Sequence, residues 1–105
     1  SGRIDDTLVV FLTEFGRTPK INGSAGRDHF PNCYSVLFAG AGVQGGMVLG
    51  KSDKIGSRPV EAACTPKDIH ATVFHSLGIS PDFQISDQDD RPLTMCEGVP
   101  LSIFA

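Results

Sequence analysis

The sequence predicts an α/β fold in 105 residues, as a single small domain or domain fragment with a few strands and one clear helix over about residues 66–77. Three observations carry this expectation. Two short apolar runs, Leu8–Leu12 and Val36–Ala39, are continuous rather than alternating, as in strands buried on both faces of a parallel sheet. A Thr-Pro-Lys-Asp start at Thr65 opens a segment with apolar residues at helical spacing. The first apolar run ends abruptly in a polar cluster, the place where open α/β sheets bind ligands.

Composition agrees with a folded chain. Hydrophobic residues make up 40% and charged residues 20%, which is far from the signature of disorder. Twelve Gly and seven Pro predict a loop-rich chain. The net charge of −3 and the scattered basic residues argue against a nucleic-acid partner. No apolar run approaches the ~20 residues of a membrane helix, and Ser1–Asp6 carries no export signal of its own. Cys33, Cys64 and Cys96 form no metal-finger spacing and no even set, so buried free thiols are expected.

In chain order, Thr7–Thr13 reads as a buried strand, and residues 14–32 as one long loop containing Gly16, Pro19, Asn22, Gly26 and Pro31. Ser35–Ala39 reads as a second buried strand. Met47–Gly50 reads as a short strand, and residues 50–64 as loop. The helix takes Thr65 as N-cap, Pro66 at its first position, Asp68 at its third and Gly78 as C-cap. Ile69, Thr72, Val73 and Leu77 form its apolar stripe, and His75 sits near its C-terminus, where a cation suits the dipole. His70 and His75, five residues apart, do not share a helix face and read as ordinary helix histidines. Residues 80–92 read as an acidic, solvated loop, and Val99–Phe104 as an edge strand in which Pro100 is tolerated.

The residues with chemical potential cluster after the first strand. Glu14, Arg17, Arg27, Asp28 and His29 share one loop. A carboxylate and an imidazole are divalent-metal ligands, and two arginines can fork onto phosphate or sulfate. The same residues can instead hold the loop together through local hydrogen bonds and salt bridges.

Four segments in order resemble a large bacterial family of sulfatase-like proteins of unknown function in the alkaline phosphatase superfamily. They are Thr13–Pro19, Gly26–Asn32, Ser35–Gly50 and Thr65–Ile79, and the resemblance runs from about residue 4 to residue 104. It covers only the C-terminal portion of those longer proteins. It implies an alkaline-phosphatase-like sheet domain and a role as the C-terminal region of a metal-dependent hydrolase of phosphate or sulfate esters. It further implies an exported protein. Carried over by position, Glu14 and His29 would be metal ligands, Asp28 would orient His29, and Arg17 or Arg27 would bind the anion. The metal would be zinc, calcium or magnesium, which the residues do not distinguish. Phe15 stands where the superfamily has a ligating His, and no residue matches the nucleophile-bearing segment. The isolated chain is therefore expected to be inactive. The alternative is a non-catalytic module of the same origin that binds a partner or itself, because unpaired apolar strand edges invite association.

Overall fold

The computed structural model describes residues 2–80, 83–94 and 96–105. A 3₁₀ turn at Arg3–Asp6 precedes β1 (Val9–Phe11), β2 (Gly16–Arg17), β3 (His29–Phe30), β4 (Leu37–Ala39), β5 (Lys51–Ser52) and β6 (Pro59–Glu61). Then come α1 (Pro66–Ser76), β7 (Gln84–Ser86) and β8 (Pro92–Thr94). Among the described residues all the strand pairs are antiparallel: β1 with β4, β2 with β3, β5 with β6 and β7 with β8. Three of these pairs are hairpins between neighbours in sequence. The fourth, β1–β4, closes around the β2–β3 hairpin.

This corrects the expected α/β class and the alkaline-phosphatase-like sheet. Only 15% of the residues are helical and 23% lie in strands, arranged as two-stranded antiparallel pairs without a parallel sheet. A parallel sheet needs helices covering both faces, and α1 is the single α-helix among the described residues. The apolar run of β1 reads as doubly buried only if something covers its second face. Among the described residues nothing does: Phe11 is 68% exposed and Leu37, its partner across the pair, 56%.

Other segments differ from the sequence reading in smaller ways. The 14–32 loop contains the β2–β3 pair. The 50–64 segment contains the β5–β6 hairpin, and the strand there begins at Lys51 rather than Met47. The acidic 80–92 segment contains β7, and its Pro81 and Asp82 lie outside the described residues. Asp87 shapes its turn by accepting from the backbone N–H groups of Asp89 at 2.8 Å and Arg91 at 2.9 Å. The C-terminal segment makes a single bridge, Val43 with Phe104, instead of a strand. The cysteines are free, but Cys64 is exposed and Cys33 and Cys96 are half-buried, so the expectation of buried thiols does not hold.

The helix lies where its capping residues place it. The Asp68 carboxylate accepts from the Thr65 backbone N–H at 2.8 Å, which satisfies a helix-start donor. At the other end Gly78, with φ +76°, and Ile79 donate to His75 O at 3.0 Å and Phe74 O at 2.9 Å, the paired bonds of a Schellman C-cap. The fully packed interior is small and sits under this helix: Ile69, Ala71 and Thr72 from α1, and Ile103 from the tail. Two polar contacts fasten the tail. The other oxygen of Asp68 accepts from the Val99 N–H at 2.9 Å. Thr72 Oγ1 donates to Asp68 O at 2.7 Å and accepts from the Leu101 N–H at 2.9 Å.

Asp68 is therefore both helix cap and tail anchor. The Val99 amide, then the Thr65 amide, hold its carboxyl below the usual carboxylate range. A group with a lowered folded-state pKa contributes its stability above the unfolded value, about 3.9, and loses it as pH falls through the folded value. Chemical unfolding of the wild type should therefore show stability falling below roughly pH 4. Asp68→Asn should remove part of that fall, and a wild-type minus variant difference that stays flat with pH would refute the assignment. Asp53, Asp87 and Glu97 are also lowered and act in the same direction, so only the difference isolates Asp68.

Candidate functional site

The β2–β3 pair sets the geometry of the candidate loop. Arg17 stands opposite His29 and Gly16 opposite Phe30. The tip is organised by Asn22. Its side-chain oxygen accepts from the N–H groups of Ser24 at 2.9 Å and Gly26 at 3.0 Å, and its Nδ2 donates to Asp28 Oδ1 at 2.9 Å. Thr18 and Asp28 are joined twice through their backbones and the Thr18 hydroxyl, at 3.0 and 3.1 Å.

The arginines are used within the loop. Arg27 Nη1 donates to Thr18 O at 2.8 Å and Pro19 O at 2.7 Å, and Arg17 Nη1 donates to Arg27 O at 3.1 Å. A guanidinium spread over backbone carbonyls is a loop clamp. The carbonyls hold each guanidinium through Nη1, and the N–H groups on Nη2 and Nε are not part of the clamp. Of the two readings of this cluster, local loop stabilisation describes the contacts that Arg17, Arg27 and Asp28 make.

His29 stacks on Phe15, with ring centroids 4.0 Å apart and planes at 28°. The residue that departs from the superfamily's ligand pattern is thus the packing partner of the histidine that would remain. Asp28 is held by Asn22. Glu14 is exposed on the segment leading into β2. Among the described residues no group of three or more His, Cys, Asp or Glu side chains is placed to hold a metal ion. Glu14 and His29 alone would give at most two protein ligands, fewer than the three or four that zinc sites use.

An open groove of about 890 Å³ lies between β4, the 43–52 segment, the β5–β6 hairpin and the tail. Phe38, Met47, Leu49 and Ile103 line it, and Lys51 and Glu61 are its charged side chains. That volume falls in the range of ligand pockets, roughly 300–1,000 Å³, but the groove has no convergent acid, base or nucleophile. Cys33 and Cys64 border it. Desolvation, then the Asp68 carboxylate, pushes the Cys64 thiol up, so it is protonated at neutral pH and a weak nucleophile.

Two features escaped the sequence reading. Asp68 and Thr72, four apart on one helix face, are the tail's anchor. The signal was a polar residue inside the apolar stripe, since Thr72 is fully buried and must have partners. The second feature is which apolar face of β1–β4 lies open, since the sequence reading expected unpaired apolar edges on these strands but no antiparallel pair between them. It was hidden because a continuous apolar run reads the same whether or not its second face is covered.

The fold and the site together define a chain of small antiparallel strand pairs around one capped helix, with a self-stabilised polar hairpin. The chain belongs to the protein family of unknown function DUF1501, whose model matches residues 1–101. No sulfatase or alkaline phosphatase family matches, which corrects the resemblance drawn from the four sequence segments. Neither the curated proteins nor the solved structures contain a match to the chain. No helix among the described residues is long and apolar enough to cross a membrane.

Proposed function

We propose that this chain is a non-catalytic association module whose apolar β1–β4 face is covered by another polypeptide surface. The observation that carries this reading is the size of the surface left open. The chain exposes 7967 Å². A compact monomer of its mass exposes about 5,700 Å². The excess, roughly 2,300 Å², is what each partner gives up in a large obligate interface. The radius of gyration of 16.7 Å agrees, since a compact domain of this length has about 13 Å.

Part of the exposed apolar surface lies on β1–β4, and Val48, Ile55 and Val99 elsewhere are more exposed still. Val9, Phe11 and Leu37 are exposed together, and Phe11 and Leu37 are cross-strand partners. Such a face in water is a binding surface or an aggregation hazard. The hydrolase reading lacks comparable support. The family shown is described only as one of unknown function, the arginines of the candidate site act on backbone carbonyls, and the described residues gather no metal-ligand cluster.

Light scattering of the purified chain, with binding of an apolar dye, tests the proposal. The expected result is a mass above 11.2 kDa that rises with concentration and returns toward the monomer in Phe11→Ser/Leu37→Ser. A concentration-independent monomer that also fails to bind the dye would overturn the reading.

A further inference from the structure

Asn22 and Gly23 sit at the tip of the β2–β3 hairpin, beyond the Thr18–Asp28 bonds that join its arms. The amide carbon of an Asn side chain is an electrophile within reach of the backbone nitrogen that follows it. Two things ordinarily hinder attack: a Cβ on the next residue crowds that nitrogen, and secondary structure ties up its N–H. Neither operates here. Gly23 has no side chain, a Cβ built on it would meet nothing within 4 Å, and its N–H donates to no group among the described residues. We propose that Asn22 is a site of spontaneous covalent modification, losing its amide nitrogen by cyclisation onto Gly23, and that the product unfastens the hairpin tip.

The step balances with water as the co-reactant. The Gly23 nitrogen attacks Asn22 Cγ and gives up its proton. A C–N bond forms, the Cγ–Nδ2 bond breaks, and Nδ2 leaves as ammonia with that proton. Water then opens the cyclic imide at either carbonyl, leaving an aspartate or its β-linked isomer at position 22. The fold assists the attack. The Ser24 and Gly26 N–H groups already donate to Asn22 Oδ1, at 2.9 and 3.0 Å, and that is the oxygen on which negative charge gathers. Hydrogen bonds strengthen when their acceptor becomes charged, so these two stabilise the transition state more than the resting amide.

The consequence follows from what Nδ2 does in the intact protein. It donates to Asp28 Oδ1 at 2.9 Å. The product has a carboxylate there, which only accepts, set against a second carboxylate. Asp28 carries both bonds between the arms: its carbonyl accepts from the Thr18 N–H at 3.0 Å, and its N–H donates to Thr18 Oγ1 at 3.1 Å. Repulsion at Asp28 therefore loosens the arms, and the β-linked isomer adds a methylene to the backbone between them. Because ammonia is lost, the change runs one way. It is independent of the association reading above.

Peptide mapping by mass spectrometry of the full chain, incubated in mildly alkaline buffer, tests the site. Asn32, which Cys33 follows, is the other Asn of the chain and serves as internal control. The expected result is amide-to-acid conversion many-fold faster at Asn22 than at Asn32, and many-fold slower in Gly23→Ala, which the open space at Gly23 accommodates. Equal conversion at both Asn residues, or indifference to Gly23→Ala, would overturn the site. Amide exchange then tests the consequence. Asn22→Asp should lower protection of the Thr18 and Asp28 amides by roughly tenfold, as expected for one lost bond to a charged group. Adding Asp28→Asn restores a donor–acceptor pair and should restore the protection. Full protection in Asn22→Asp would overturn the unfastening, and a loss that Asp28→Asn does not recover would overturn its like-charge cause.

Discussion

Replacing Gly98 by Ala should detach the C-terminal tail from the helix. A Cβ at Gly98 would lie 2.1 Å from Lys67 O, 2.2 Å from Lys67 C and 2.5 Å from Asp68 N. These are backbone atoms of the first helical turn, and they cannot swing aside as a side-chain tip would. The tail must therefore back away, and its bonds lengthen with it: Asp68 to the Val99 amide and Thr72 to the Leu101 amide, both 2.9 Å. Overpacking costs about 1–3 kcal/mol. Losing the partly buried bond from the Leu101 amide to Thr72 adds about 0.5–1.5 kcal/mol, Thr72 keeping its own bond to Asp68 O. Against a total stability of roughly 5–15 kcal/mol, that is a large share. Chemical unfolding should report the loss, and hydrogen exchange should show the Val99 and Leu101 amides unprotected. Wild-type stability with full protection of both amides would contradict the tail's place in the fold.

Gly40→Ala should act as strongly at the other end of the molecule. Gly40 has φ +81°, where an L side chain costs about 1–2 kcal/mol. Its Cβ would also meet Thr7 O at 2.1 Å and Ile4 O at 2.7 Å. The next residue, Ala41, donates its N–H to Ile4 O at 2.9 Å, so the turn at Gly40 ties the N-terminal 3₁₀ turn to the end of β4. Strain and overpacking together predict a loss of about 2–5 kcal/mol. A thermal unfolding midpoint that matches the wild type would contradict the close approach. Because the same turn holds β1 beside β4, the variant should also weaken association.

These positions show what the sequence revealed and what it hid. The helix was legible because its signals are local: Thr65, Pro66, Asp68 and Gly78 each act within one turn of themselves. The loop excess was legible from Gly and Pro. The pairing of strands was not, because Leu8–Leu12 has the same apolar run whether it is sandwiched between helix layers or left open beside one antiparallel neighbour. Hairpins such as β5–β6 and β7–β8 were missed because their strands are short and polar, and turn residues such as Asp53 and Asp87 close them through hydrogen bonds that have no hydrophobic pattern. In the candidate site the residue types suggested a metal and an anion. Position alone did not show that Asn22 would take Asp28, or that Phe15 would take the face of His29. Gly98 was invisible because its constraint comes from Lys67, distant in the chain.

The account turns on the open face of β1–β4, and amide hydrogen exchange measured across a range of chain concentrations tests it most directly. The expected result is protection at Val9–Phe11 that grows with concentration while protection in α1 stays constant. Protection at β1 that does not change with concentration would contradict it.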